Sequence, residues 1–178
     1  MKFLKWTLAL LALLGVVLVG GSLVLPAQTR VERSVLIERP TAEVFATLNS
    51  FRRFNEWSPW FGADPQAKYE YTGPAEGVGA GMQWSGNRAV GSGSQKILES
   101  QPNQKIVVAL DFGGSAATAT YLLSPEGTGT RVTWRFDTRH GYNPLNRWMG
   151  LLFERMIGGD FERGLTSLKR VLEQPKSS

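Results

Sequence analysis

The apolar positions of this chain change period twice. Residues 6–25 carry no charge at all, residues 30–138 alternate in short runs, and residues 145–172 repeat at steps of three and four. These patterns predict in turn a hydrophobic helix, a set of strands and an amphipathic helix. In the last stretch Leu145, Trp148, Met149, Leu152, Phe153 and Met156, followed by Phe161, Leu165, Leu168 and Leu172, share one helical face. Arg147, Glu154, Arg155, Glu162, Arg163, Lys169 and Arg170 occupy much of the rest. Between Met156 and Phe161 lies Gly158-Gly159-Asp160, two glycines that weaken a helix and an aspartate that caps one. The spacing predicts a kink or a restart at that point.

Residues 30–38 place Val31, Val35 and Ile37 on one side and Glu32, Ser34 and Glu38 on the other, as in a half-buried strand. Pro40-Thr41 opens a short helix with Thr41 as its cap, Glu43 in its first turn and Val44, Phe45 and Leu48 on its apolar face. A second short helix is expected at 51–57, ending before Ser58-Pro59. Strands follow at 68–72, 80–85, 92–100, 105–112, 117–123 and 130–138, separated by glycine and proline. Their connections are short, among them Gln101-Pro102-Asn103 and Gly113-Gly114, so the pairing is antiparallel. The result is an α+β fold in which one curved, seven-stranded antiparallel sheet grips a long C-terminal helix, with two short helices after the first strand. The expected organisation is an N-terminal anchor at 1–27, one domain at 28–174 and a short disordered tail at 175–178.

The uncharged N-terminal run opens after Lys2 and Lys5 and closes at Pro26. Its 20 residues match the length that crosses a hydrocarbon core of about 30 Å. A cleaved signal peptide is the competing reading, since Gly20 and Ser22 supply small residues for a cleavage site. The length favours a retained anchor. The expectation is a single-pass protein of the cell membrane with its domain on the extracytoplasmic side, periplasmic in a Gram-negative cell. The positive amino end supports that orientation, whereas Arg30 and Arg33 beyond the span run against it.

Composition narrows the function further. Lys2 and Lys5 supply two of the five net positive charges, and the +3 that remains is not gathered into a run. That excludes the basic stripe a nucleic-acid-binding protein needs. There is no cysteine and one histidine, and no carboxylate cluster has metal-ligand spacing. Neither a metal nor a cofactor is expected. The oligomeric state is left open.

Several local patterns together resemble the polyketide cyclase/dehydrase branch of the SRPBCC (START-like) superfamily. They are Ile37-Glu38-Arg39-Pro40-Thr41-Ala42-Glu43-Val44-Phe45, Trp57-Ser58-Pro59-Trp60, the Gly73-Pro74-Ala75 and Gly77-Val78-Gly79 turns, and Gly129-Thr130-Arg131-Val132-Thr133-Trp134. Asp160-Phe161-Glu162-Arg163-Gly164-Leu165 with Leu168-Lys169 completes the set. The resemblance covers about residues 30–173 and implies a helix-grip fold with an apolar cavity between sheet and helix. Many members of that family are binding modules, and others are enzymes.

Candidate binding residues follow from aromatic placement. Trp57, Trp60 and Phe61 surround Pro59 and either form a lid over the cavity or plug the core. Trp84, Tyr121 and Trp134 lie on strands that line the grip, facing Met149 and Phe153 on the helix. Such residues build a pocket for a flat or greasy ligand, and they build a filled core equally well. Gly77-Val78-Gly79-Ala80-Gly81 superficially looks like a phosphate loop, but it runs into a strand where that motif requires a helix N-terminus. His140 is the lone catalytic candidate, a general base if buried and otherwise a surface loop residue, which is the expected case. The sequence thus points to a membrane-tethered module that binds a hydrophobic small molecule or lipid. A cyclase/dehydratase-type enzyme and a filled-core interaction domain are the alternatives.

Overall fold

The computed structural model describes residues 2–174. The expected tail at 175–178 lies outside the described residues. Helix α1 (Lys2–Val24) leads into β1 (Gln28–Ile37) and α2 (Thr41–Leu48). Two 3-10 turns follow, at Phe51–Glu56 and Phe61–Ala63. Then come β2 (Lys68–Thr72), β3 (Gly81–Ser85), β4 (Ser92–Gln101), β5 (Lys105–Asp111), β6 (Ala116–Glu126), β7 (Gly129–Arg139) and α3 (Pro144–Glu173). The sheet order is β1-β7-β6-β5-β4-β3-β2, antiparallel at every pairing. The first strand therefore crosses the whole sheet to pair with the last, while the other strands form a meander. A register shift between Ile97 and Glu99 leaves Leu98 as an extra, exposed residue of β4. Bulges of this kind bend a strand and help the sheet to curve.

The alternation read from the sequence becomes the inner face of that sheet. Ile106 and Val108 on β5, Ala119, Tyr121 and Leu123 on β6, and Val132, Trp134 and Phe136 on β7 are all buried. The second half of α3 lies across them through Phe161, Leu165, Leu168 and Leu172. Two polar clamps fix its end, Lys169 Nζ donating to Leu36 O at 2.7 Å and Arg39 Nε to Leu172 O at 2.7 Å. Thr41 does not cap α2, whose N-cap position is Pro40 without a side-chain bond. Its hydroxyl instead pairs with Thr130 at 3.0 Å, tying α2 to β7.

Helix α3 corrects two expectations. It runs unbroken for 30 residues, capped by Asn143 with Pro144 in its first turn. Gly158 does not break it, because its missing side chain is a notch for a neighbour. A Cβ there would stand 2.5 Å from Arg33 Nη2. Arg33 crosses the helix at this notch and bonds Glu162 (2.7 Å) on one side and Glu154 (2.8 Å) on the other. Gly164 works alike, bringing the helix backbone against Trp134 and Pro59. Asp160, expected as a cap, sits in mid-helix. The second correction concerns the face. Leu145, Met149, Leu152 and Met156 point outward, 67%, 44%, 54% and 60% exposed. The inward residues of the first half are Gly150, Phe153 and Ile157, one step around the helix.

Candidate functional site

Between the first half of α3 and β3–β7 the sheet and helix diverge and leave a cavity of about 340 Å3. Its volume arises from small residues on the inner face of β6. Ala117 and Ala119 stand where the same face carries Tyr121 further along the strand. Without their bulk the curved sheet cannot fill the space beneath α3. Filled cores rarely contain voids much larger than a water molecule, and binding pockets begin at roughly 300 Å3.

The walls are rich in aromatic rings. Trp134 forms one end, stacked on Phe161 with ring centroids 3.9 Å apart and on Tyr121 at 5.5 Å. Trp60 closes one side, edge-on to Trp134 at 6.0 Å and to Phe161 at 6.5 Å. Trp84 and Phe112 meet edge to face at 5.8 Å on the β3–β5 side. Phe136 and Phe153 stack at 6.1 Å beneath α3. Five of the sequence candidates thus line the cavity: Trp60, Trp84, Tyr121, Trp134 and Phe153.

Three candidates do not. Trp57 is buried one layer behind the wall, edge-on to Tyr121 and Trp134 at 6.1 and 5.4 Å, so it supports the site without lining it. Phe61 is half exposed and rests on Tyr69 at 6.0 Å, outside the cavity. Met149 lies on the outward stripe of α3. The Trp57–Phe61 segment therefore divides into core (Trp57), wall (Trp60) and surface (Phe61). Ala117, Ala119, Gln95 and Ile157 are lining residues that the sequence reading missed. The alternate alanines of 116–119 were the available signal.

Among the described residues, the lining contains no charged side chain and no histidine. Its polar points are few. Gln95 is buried, and its amide makes a weak contact with Met82 Sδ at 3.9 Å. Trp134 Nε1 is buried without a hydrogen-bond partner. Burial pushes the Tyr121 phenol well above its ordinary value, so it stays neutral. Such a wall can enclose an apolar body and offer it one or two hydrogen bonds. It holds no group that exchanges protons near neutral pH. No cluster of three or more His, Asp or Glu side chains able to hold a metal occurs among the described residues.

His140 is not the surface residue the sequence suggested. It is 6% exposed, wedged between β1 and α3. The Thr29 hydroxyl is hydrogen-bonded to His140 Nε2 at 2.7 Å and lies 3.2 Å from Gly150 O. A Cβ on Gly150 would stand 2.5 Å from that nitrogen, so this glycine makes room for the ring. The ring reaches Phe153 but not the cavity. Its role is to lock the start of α3 to β1. Burial, then the Arg147 guanidinium, hold its pKa below the ordinary histidine value. The unfolded chain accordingly takes up a proton that the folded one resists, and stability falls as pH drops through about 6.5. Thermal unfolding between pH 7.5 and 5.5 will show this loss, at most about 1.4 kcal/mol per pH unit. His140→Gln, which keeps a hydrogen-bond partner for Thr29, will flatten the slope in that window.

Helix α1 holds an apolar run at Lys5–Val24, long enough to span a membrane by length and composition. A signal sequence passes the same test. Helix α1 contacts the domain. Trp148 Nε1 donates to Leu18 O at 2.9 Å and Arg147 Nη1 to Ser22 O at 3.0 Å.

The family model described as polyketide cyclase / dehydrase and lipid transport matches residues 28–173. A protein from Thermobifida fusca superposes with a TM-score of 0.61 at 18% identity, covering 80% of this chain and 92% of that one. The Aha1 protein of Colwellia psychrerythraea does so at 0.57 and 17%, covering 84% and 99%. The di-domain ARO/CYC StfQ of the steffimycin biosynthetic pathway does so at 0.60 and 12%, covering 83% of this chain and 51% of that one. At these identities the likeness is one of fold. No curated protein matches the chain in sequence.

Proposed function

Because the chain belongs to the polyketide cyclase/dehydrase and lipid transport family of the SRPBCC superfamily, we propose that it is a membrane-tethered module that binds a lipid or a lipid-like apolar molecule in its cavity. The observation that carries this reading is the uncharged, aromatic-walled cavity of about 340 Å3. It favours burial over turnover, since acid–base chemistry needs a group that titrates near the working pH and the wall offers Tyr121 held far above it. It also counts against a filled-core interaction domain. The tether is supported by the 20-residue apolar run and by the Arg147 and Trp148 bonds that fasten it to the domain.

Binding is tested by energy transfer from the wall tryptophans to a polyene fatty acid, using the full chain in nonionic micelles. The reading predicts saturation at one equivalent and displacement by unlabelled fatty acid. A signal that rises linearly, as for partition into the micelle alone, contradicts it.

A further inference from the structure

The cavity mouth and the end of α1 lie at the same end of the sheet. Gln28 at the start of β1 pairs with Arg139 at the end of β7, and Asp111 at the end of β5 pairs with Ala116 at the start of β6. Ser85 at the end of β3 faces Ser92 at the start of β4. The turns at this end supply Ala89, Val90, Phe112 and Ser115 to the cavity lining. Helix α1 stops at Val24, with three residues between it and the start of β1.

Two contacts set the height of α3 against α1. The buried Arg147 guanidinium donates to Ser22 O (3.0 Å) and Leu25 O (3.5 Å), capping the last carbonyls of α1, and to Gly141 O (2.8 Å). Trp148 Nε1 donates to Leu18 O, and its ring lies on Gly21, where a Cβ would stand 3.0 Å from it. Leu18 precedes Val24 by six residues, about 9 Å along the axis at 1.5 Å per residue. If α1 spans the bilayer, the first turns of α3 therefore sit near the boundary of headgroups and acyl chains. Interfacial amphipathic helices bury their apolar faces at roughly that depth, 5–10 Å, and tryptophan concentrates at the membrane–water interface.

The face that α3 presents there is apolar. Leu145, Met149, Leu152 and Met156 recur at helical spacing and are exposed. They adjoin Phe153 and Ile157, which line the cavity. The opposite flank is taken by β1, through Thr29 on Gly150 and Arg33 on Glu154. Arg88 and Arg139 are exposed at the same end of the sheet, as is Asp111.

We propose that the first half of α3 lies in the bilayer interface as the lip of the cavity, so that a ligand passes from the acyl phase over Met149 and Leu152 into the cavity without crossing water. This rests on the membrane-tethered reading, and the test separates the two. The chain has no cysteine, so single cysteines can carry spin labels without background. The full chain is reconstituted in phosphatidylcholine–phosphatidylglycerol vesicles with a label at Met149→Cys, Leu152→Cys, Val16→Cys in α1 or Thr166→Cys on the distal half of α3. Collision with oxygen against a water-soluble nickel chelate reports depth. The proposal expects an oxygen-to-nickel ratio several-fold higher at Met149→Cys and Leu152→Cys than at Thr166→Cys, approaching that of Val16→Cys. If Val16→Cys is in lipid but both α3 sites are as wet as Thr166→Cys, the lip is overturned and the anchor stands. If Val16→Cys is itself wet, the membrane reading fails and takes the lip with it. Spin–spin broadening at the α3 sites would show a second copy covering the stripe, and would also overturn the proposal.

Discussion

Ala117→Trp is expected to weaken ligand binding close to a hundredfold while leaving the fold in place. Ala117 is half-buried on the inner face of β6 and points into the cavity between Leu110 and Thr138, its neighbours on β5 and β7. An indole built there enters about 340 Å3 of existing space rather than a packed core. Overpacking, which costs roughly 1–3 kcal/mol in filled interiors, is therefore largely avoided. The ligand loses the wall that the indole now covers. Forfeiting on the order of 100 Å2 of apolar contact at about 25 cal/mol per Å2 removes about 2.5 kcal/mol, close to a hundredfold in Kd. The energy-transfer titration together with a thermal unfolding curve separates the two effects. Weak binding with an unchanged Tm is the expected pair. Unchanged binding would place the ligand elsewhere.

Trp134→Ala is expected to do the opposite and strike stability first. This side chain is 2% exposed and sits at the centre of the aromatic cluster. It stacks on Phe161 and Tyr121 and meets Trp57 and Trp60 edge-on. It also occupies the close approach that Gly164 permits, so no residue on α3 can move in to replace it. Its Nε1 has no partner, so its removal orphans no acceptor and the loss is one of packing. Truncating a buried tryptophan to alanine costs about 3–5 kcal/mol, which for a domain of this size lowers Tm by on the order of 10 °C. Trp134→Phe keeps part of the stack and should lose less than half as much. Chemical denaturation of both variants checks the prediction, and a loss below about 1 kcal/mol for Trp134→Ala would show that the cluster does not hold the grip together.

The fold was legible because its strands alternate cleanly. Val132, Trp134 and Phe136 against Thr133, Arg135 and Asp137 allow one register only, and a slip of one residue would turn three large side chains to water. Helix α3 was harder for a physical reason. Leu145, Met149, Leu152 and Met156 form one stripe, and Phe153, Ile157 and Phe161 form the next. Steps of three and four fit both, so periodicity alone does not say which stripe meets the sheet. Two apolar stripes side by side leave the inward one unmarked in the sequence. Gly158 read as a breaker because propensity sees only the cost of its missing side chain. The use of that absence depends on Arg33, far away in sequence. His140 misled similarly, since its burial is created by Thr29 and Gly150.

The cavity itself was half legible. Large aromatics on inward positions mark its walls, and they mark a filled core in the same way. Its volume depends on Ala117 and Ala119, which carry little weight in a search for binding residues. Empty space is a property of the assembled sheet and helix, so small residues reveal it only once their inner-face position is known.

The most direct test of the account is native mass spectrometry of the full chain purified from its own host in nonionic micelles, run beside Ala117→Trp. One apolar organic adduct per chain is expected, released on mild activation and missing from the variant. A bare mass for both proteins, or the same adduct on both, would contradict the claim that the cavity beneath α3 is a lipid-binding site.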